Sequence, residues 1–191
     1  DTLTQGTSGN WTYLRKDDEA TLLFDPSGKL LTVTARNGWV TTYTYNGSGL
    51  LATVSNGFGQ TITFTHYEGK LLSITLPGSR AIKYMYNGDS LYRVTYPDNT
   101  TRHFHFENPL NGYLLTGITD ENGNRWATFD YDSTGRAIRS ELAGAVDRYQ
   151  VSYPGTNGSS ATITDPLGTT RTFNYTLNLG KLAVVGADKP D

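Results

Sequence analysis

The stretch Phe129-Asp130-Tyr131-Asp132-Ser133-Thr134-Gly135-Arg136-Ala137-Ile138 decides the fold of this chain. Phe129 and Tyr131 are two residues apart, so both rings stand on one face of an extended strand while Asp130 faces away. Asp-Ser-Thr-Gly then supplies turn chemistry, the Asp by bonding local backbone N–H groups and the Gly by tolerating positive φ. Ala137-Ile138 opens a second apolar patch. The segment reads strand, turn, strand.

The same pattern runs along the sequence. Large residues spaced by two recur at Leu22/Phe24, Tyr43/Tyr45, Phe64/His66, Tyr84/Tyr86, Phe104/Phe106, Phe129/Tyr131, Val151/Tyr153 and Phe173/Tyr175, beginning 21, 21, 20, 20, 25, 22 and 22 residues apart. A turn glycine follows, in order Gly28, Gly49, Gly69, Gly88, Gly112, Gly135, Gly158 and Gly180. Small apolar patches end at Val33, Val54, Ile74, Val94, Ile118, Ile138, Ile163 and Val185. Residues between the paired rings are small or polar (Thr44, Thr65, Asp130, Asn174), the alternation of a sheet with one apolar and one wetter face. Asn-Gly at 37-38, 46-47, 56-57, 87-88, 111-112, 122-123 and 157-158 predicts positive φ at tight hairpins. Asp25-Pro26-Ser27-Gly28, Tyr96-Pro97-Asp98-Asn99 and Asp165-Pro166-Leu167-Gly168 predict turns of another type. Glu107 to Gly112 and Pro154 to Ser160 lengthen two loops, where insertion disturbs a sheet least. No segment holds a helical period; Ser140 to Asp147, broken by Gly144, reads as turn or loop.

Composition agrees. The 191 residues carry 21 Gly, 13 Tyr, one Met and a net charge of −2, which favours strands and turns and gives no basis for electrostatic binding of nucleic acid or an anionic membrane. The absence of Cys removes disulfides, thiol nucleophiles and Cys-based metal sites together. No apolar stretch approaches the roughly 18 residues of a membrane span. The start at Asp1, without a signal peptide, reads as an excised segment or mature product.

With the repeat laid out, the 129–138 stretch resembles the YD (RHS) repeat: a Tyr-Asp pair, then Gly-Arg and an apolar pair. Tyr43 to Val54 is similar with Asn46 in place of Asp, and Tyr84 to Gly88 and Phe173 to Tyr175 are looser copies. Gly117 to Trp126 resembles the stretch that joins successive units in bacterial RHS proteins. The resemblance covers the chain after about Thr21. It implies an all-β fold: tandem antiparallel β-hairpin repeats in a curved, open, ribbon-like sheet, part of a β-shell like those of RHS toxins, toxin-complex subunits and teneurins. Residues 1–20 are then an N-terminal segment or partial repeat, and 21–191 about eight repeats in one continuous array. Hairpins of about 20 residues are marginal alone and stable when stacked. Asp165-Pro166-Leu167-Gly168 is similar to the family's closing self-cleavage motif. Thr169-Thr170 and another repeat follow it, so it reads as an ordinary turn.

Candidate chemistry is sparse. His103 and His105 share one strand face with Glu107 and can be set against a metal; polar-face packing is the favoured account. His66 takes an aromatic slot. Acidic residues cluster at Asp17-Asp18-Glu19, Asp120-Glu121 and Asp130/Asp132, in loop and turn settings. No nucleophile elbow, phosphate loop or zincin motif is present. Trp11, Trp39 and Trp126 can stack on sugar rings, although packing between hairpins is the simpler role. Sequons at Asn10, Asn46, Asn99, Asn157 and Asn174 follow from Asn-rich turns and Thr-rich strands.

The expectation is a structural role with no enzyme activity, cofactor or metal: part of the wall of a shell around a C-terminal toxin in a bacterial secreted or surface protein. Its partners are the rest of its own polypeptide. A carbohydrate- or receptor-binding adhesion module is the alternative. The repeat positions expected to carry the structure are Tyr43, Tyr45, Gly49, Phe64, Gly69, Tyr84, Tyr86, Phe104, Phe106, Phe129, Tyr131, Gly135, Phe173 and Tyr175.

Overall fold

The computed structural model describes residues 1–154 and 159–188; the Asn157-Gly158 turn lies outside the described residues. The chain is all-β, with no α-helix among the described residues and one 3₁₀ turn at Ala143–Ala145. It divides into two compact units, Asp1–Met85 with Thr95–Asn99, and Tyr86–Val94 with Thr100–Asp191.

The first unit holds β1 (Thr2–Gln5), β2 (Trp11–Arg15), β3 (Ala20–Phe24), β4 (Leu30–Thr34), β5 (Val40–Tyr45), β6 (Leu51–Asn56), β7 (Thr61–Tyr67), β8 (Lys70–Leu76) and most of β9 (Arg80–Asn87). From β1 to β9 each strand pairs antiparallel with the next in sequence. The register sets Tyr43 opposite Val54, Val54 opposite Ile62, and Phe64 opposite Ile74, so the apolar residues form cross-strand rows. On the other face Thr44, Thr53, Thr63 and Thr75 line up, and the hydroxyls of Thr44 and Thr53 meet at 2.7 Å. Exposure alternates strictly along β7, with Ile62, Phe64 and His66 covered and the threonines open.

The second unit holds most of β10 (Ser90–Thr95), and β11 (Thr101–His105), β12 (Gly117–Thr119), β13 (Arg125–Tyr131), β14 (Ala137–Leu142), β15 (Val146–Ser152), β16 (Ser160–Thr164), β17 (Thr170–Asn178) and β18 (Lys181–Ala187). From β11 to β18 pairing is again antiparallel between sequence neighbours. Phe104 faces Ile118, and Val151 faces Ile163. Ile138 and Val185 sit at the β-bulges of their hairpins, with Ser140 opposite Phe129 and Ala187 opposite Phe173.

Neither unit has a conventional core. Among the described residues the buried apolar ones are Ala20, Val94, Ala127 and Ala161, all small, and no large side chain is fully buried. The rings of the repeat are half covered by their neighbours across the strands. Covering half of an aromatic ring removes on the order of 100 Å² from water, worth about 2–3 kcal/mol. Stability is therefore spread over many similar rows.

The turns correct one part of the sequence reading. In Asn46-Gly47-Ser48-Gly49 the left-handed residue is Gly49 (φ 77°), and in Asn56-Gly57-Phe58-Gly59 it is Gly59 (φ 77°); Gly47, Gly57 and Gly112 do not have positive φ. Asn46 instead opens the turn. Its N–H donates to Leu50 O at 2.8 Å, and Gly49 N–H donates to Asn46 O at 2.8 Å. Asp25 and Asp165 close their turns with the same two bonds, so Asp-Pro-x-Gly is the same turn type, not another. It is a type I turn followed by a left-handed residue, a standard three-residue hairpin loop. Tyr96-Pro97-Asp98-Asn99 is a further version, with Asn99 (φ 67°) in the glycine slot.

Candidate functional site

The Tyr-Asp pair acts at both ends of a hairpin. Asp132 follows β13 directly, and its Oδ1 accepts Thr134 N–H at 2.9 Å and Arg136 N–H at 3.0 Å, while Thr134 Oγ1 donates to it at 2.7 Å. Its Oδ2 takes Arg136 Nε at 2.8 Å. Led by the Thr134 hydroxyl, these donors hold the carboxyl far below the usual carboxylate range. Asp25 repeats the arrangement with the Ser27 hydroxyl and Lys29 N–H, and its pKa is lowered for the same reason. Asn46, Asn56, Asp120 and Asp165 use Oδ1 in the same slot to accept two N–H groups each.

The tyrosine before that turn reaches the other way. Tyr45 Oη donates to Leu30 O at 2.9 Å, Tyr131 Oη to Leu115 O at 2.7 Å, and Tyr153 Oη to Ala137 O at 2.7 Å. The acceptors lie 15 or 16 residues earlier, so each bond ties one hairpin to the one before it. Leu30 and Ala137 immediately follow the cationic residue of the preceding turn. Those cations cover the same rings: Lys29 Nζ stands 5.2 Å from the Tyr45 centroid, and the Arg136 guanidinium 4.2 Å from that of Tyr153. Among the described residues no cation covers Tyr131, and burial pushes its phenol pKa up. The Gly-Arg that follows Tyr-Asp thus has a physical role, in which the glycine makes the bend and the cation caps the next unit's ring.

The other repeat positions fall as follows. Gly69 (φ 79°) and Gly135 (φ 83°) are left-handed like Gly49. Tyr84 and Tyr86 are covered residues of β9, and Tyr175 stands opposite Val184. Phe106 lies just beyond β11, where an open cleft of about 600 Å³ is lined by Tyr86, Tyr92, Phe104, His105, Phe106 and Glu107.

A clamp at this cleft was not legible as a site in the sequence. Arg125 grips Glu107 with both arms of its guanidinium, at 3.2 and 2.9 Å, and Nη2 also donates to Thr116 O at 2.9 Å. Thr116 Oγ1 donates to Glu107 Oε2 at 3.1 Å and accepts Glu107 N–H at 3.0 Å. The guanidinium lies against Gly117, where a Cβ would come within 2.2 Å of it. The one available signal was a glycine inside a strand, which marks a close approach. Glu107 is held below its usual pKa, chiefly by Arg125. His105 Nε2 meets Thr119 Oγ1 at 2.7 Å, and burial lowers the His105 pKa, with Arg125 adding to the effect. His103, His105 and Glu107 do not converge: among the described residues no group of three His, Asp or Glu could hold a metal ion.

The clustered carboxylates are engaged in ion pairs, Asp18 with Arg15, Glu121 with Arg102 at 3.0 Å, and Asp130 with Arg139 at 2.6 Å. Trp11 packs in register with Phe24. Trp39, at the base of one turn, and Phe58, at the tip of another, are in T-shaped contact, 5.1 Å between centroids, with 62% and 65% of their surface exposed. Trp126 is 45% exposed on β13. No helix among the described residues is long and apolar enough to cross a membrane.

The same architecture occurs in known proteins. The family model described as the teneurin YD-shell matches residues 7–189. Among solved structures, the crystal structure of TcdB2-TccC3-Cdc42 is similar at a TM-score of 0.56 and 16% identity, over 95% of this chain and 12% of that chain. TcdB2-TccC3 without its hypervariable C-terminal region gives 0.54 and 16% over the same shares, and TcdB2-TccC3 gives 0.52 and 16% over 92% and 12%. This chain therefore spans about an eighth of the structures it resembles, and at such identity the likeness is one of fold. No curated protein matches.

Proposed function

This chain belongs to the teneurin YD-shell family, and from that premise we propose that its hairpins form part of the wall of a shell enclosing a C-terminal toxin in a bacterial secreted or surface protein. The observation that carries the reading is the tyrosine link. A phenol bonded to the preceding hairpin's carbonyl, repeated at Tyr45, Tyr131 and Tyr153, joins units in series. The repeat aromatics and turn glycines then act through packing and geometry, and the activity is containment. The partners are further repeats of the same polypeptide and its cargo, and the location is outside the producing cytoplasm. Likeness in fold to TcdB2-TccC3, one structure of which is described as lacking its hypervariable C-terminal region, supports this assignment.

The test uses the full polypeptide around this segment. Cargo downstream of the repeats should resist protease in the intact protein and become cleavable when Tyr131→Asp opens the wall. A reading frame with no domain after the repeats, or cargo cut equally fast in both proteins, would sink the proposal. The exposed Trp39–Phe58 pair favours one second reading, a glycan-binding adhesion module. Glycan-array binding lost on Trp39→Ala would support it, and an empty array would dismiss it.

A further inference from the structure

Beyond containment, we infer that Asn111 is a site of spontaneous deamidation and that the fold shields Asn46 and Asn56 from the same reaction. In an Asn-Gly pair the glycine amide nitrogen attacks the Asn side-chain carbonyl carbon. The new C–N bond closes a succinimide, and the side-chain nitrogen leaves as ammonia with the proton from the glycine N–H. Water then opens either ring carbonyl to give aspartate or isoaspartate. Two things are needed: a glycine N–H free of a hydrogen bond, and an Asn amide free to swing.

The chain offers a controlled series. At Asn37-Gly38 the attacking nitrogen is tied, Gly38 N–H donating to Ala35 O at 2.8 Å, and Asn37 Oδ1 holds Trp39 N–H. At Asn122-Gly123 the nitrogen donates to Asp120 O at 3.1 Å. Gly47 and Gly57 have no amide partner among the described residues, but their Asn side chains are locked. Asn46 Oδ1 holds Ser48 and Leu50 N–H, both at 3.0 Å. Asn56 Oδ1 holds Phe58 and Gln60 N–H, and its Nδ2 donates to Gln60 Oε1 at 3.1 Å. These bonds are the turn itself, so swinging the amide requires the hairpin end to open.

Asn111 is the least restrained of the series. It lies in the lengthened, exposed loop after β11, the Gly112 N–H has no partner among the described residues, and Oδ1 accepts one bond, from Tyr113 N–H at 3.0 Å, against two at Asn46 and Asn56; its backbone N–H donates to Asn108 Oδ1 at 3.1 Å and its carbonyl accepts Leu114 N–H at 3.2 Å, both within the loop. No ladder of paired strands holds it. Conversion adds one negative charge, and isoaspartate adds a backbone methylene beside the Glu107–Arg125 clamp. At Asn46 or Asn56 the aspartate product would be harmless, since Asp25 and Asp132 already fill that slot.

The experiment is peptide mapping by mass spectrometry of the folded protein held at pH 8 and 37 °C, resolving Asn, Asp and isoAsp, beside a urea-denatured sample. In the folded protein Asn111 should convert at least about tenfold faster than Asn46 and Asn56, whose reaction waits on local opening. In urea the three rates should converge. The inference fails if Asn46 or Asn56 keeps pace with Asn111 in the folded protein. It fails equally if Asn111 stays intact there while converting in urea.

Discussion

Gly117→Ala tests the clamp most directly, because the structure supplies each part of the expected effect. Gly117 is buried, and a new Cβ would lie 2.2–2.3 Å from three guanidinium atoms of Arg125. The guanidinium is the far end of a flexible side chain, so it swings out rather than straining the backbone. The cost is the bonds it abandons. The pair with Glu107 has side-chain exposures of 35% and 58%, so it contributes about 0–1 kcal/mol. The charged hydrogen bond to Thr116 O adds about 1–1.5 kcal/mol. Replacing a strand glycine returns about 0.5–1 kcal/mol by restricting the unfolded chain. Gly117→Ala should therefore destabilise by about 0–2 kcal/mol, and Arg125→Ala by about 1–2.5 kcal/mol. Both remove the same bonds, so they must not add. In an Arg125→Ala background the second change meets no guanidinium and should cost less than in the parent. Urea denaturation followed by fluorescence of the adjacent Trp126 measures all four proteins. An equal cost of Gly117→Ala in both backgrounds would show that the guanidinium does not lie over Gly117.

Further expectations follow from the repeat itself. Tyr45→Phe and Tyr131→Phe should each cost about 1 kcal/mol by orphaning the carbonyls of Leu30 and Leu115, whereas Tyr45→Asp and Tyr131→Asp, which bring a charge into the covered face, should cost several-fold more; melting curves unchanged by the Asp variants would mean that the two faces are inverted. Gly135→Val should cost more than about 2 kcal/mol, since φ of 83° suits no β-branched residue, and a midpoint within error of the parent would refute that. The lowered pKa of Asp132 means that its contribution is complete above the unfolded value near 4 and fades as pH falls through the folded value. Asp132→Asn keeps an Oδ1 acceptor, as at Asn46, and should flatten the acid limb of the stability profile; an acid limb that stays as steep would discount Asp132.

Local chemistry explains why so much of the fold was legible. Alternation in Thr61 to Tyr67 and the ring spacing of Tyr43/Tyr45 depend only on the two-residue period of a strand, so the sequence alone establishes all-β hairpins in series. Turn positions followed from Gly and Asp or Asn for the same reason. Turn type was less accessible. In Asn46-Gly47-Ser48-Gly49 two glycines compete for the left-handed slot, and the choice of Gly49 depends on the hydrogen bonds of Asn46 across the turn.

What the sequence by itself determined was the repeat: which residues extend, where the chain reverses and which side chains share a face. Tertiary structure alone decided what those residues touch across strands. The Tyr45 phenol meets Leu30 O, Arg136 covers the Tyr153 ring, and Arg125 rests on Gly117, each over a gap of 8 to 17 residues. Register, bulge position and the closeness of two backbones set such contacts. Those quantities emerge only when neighbouring hairpins pair, and no local pattern encodes them.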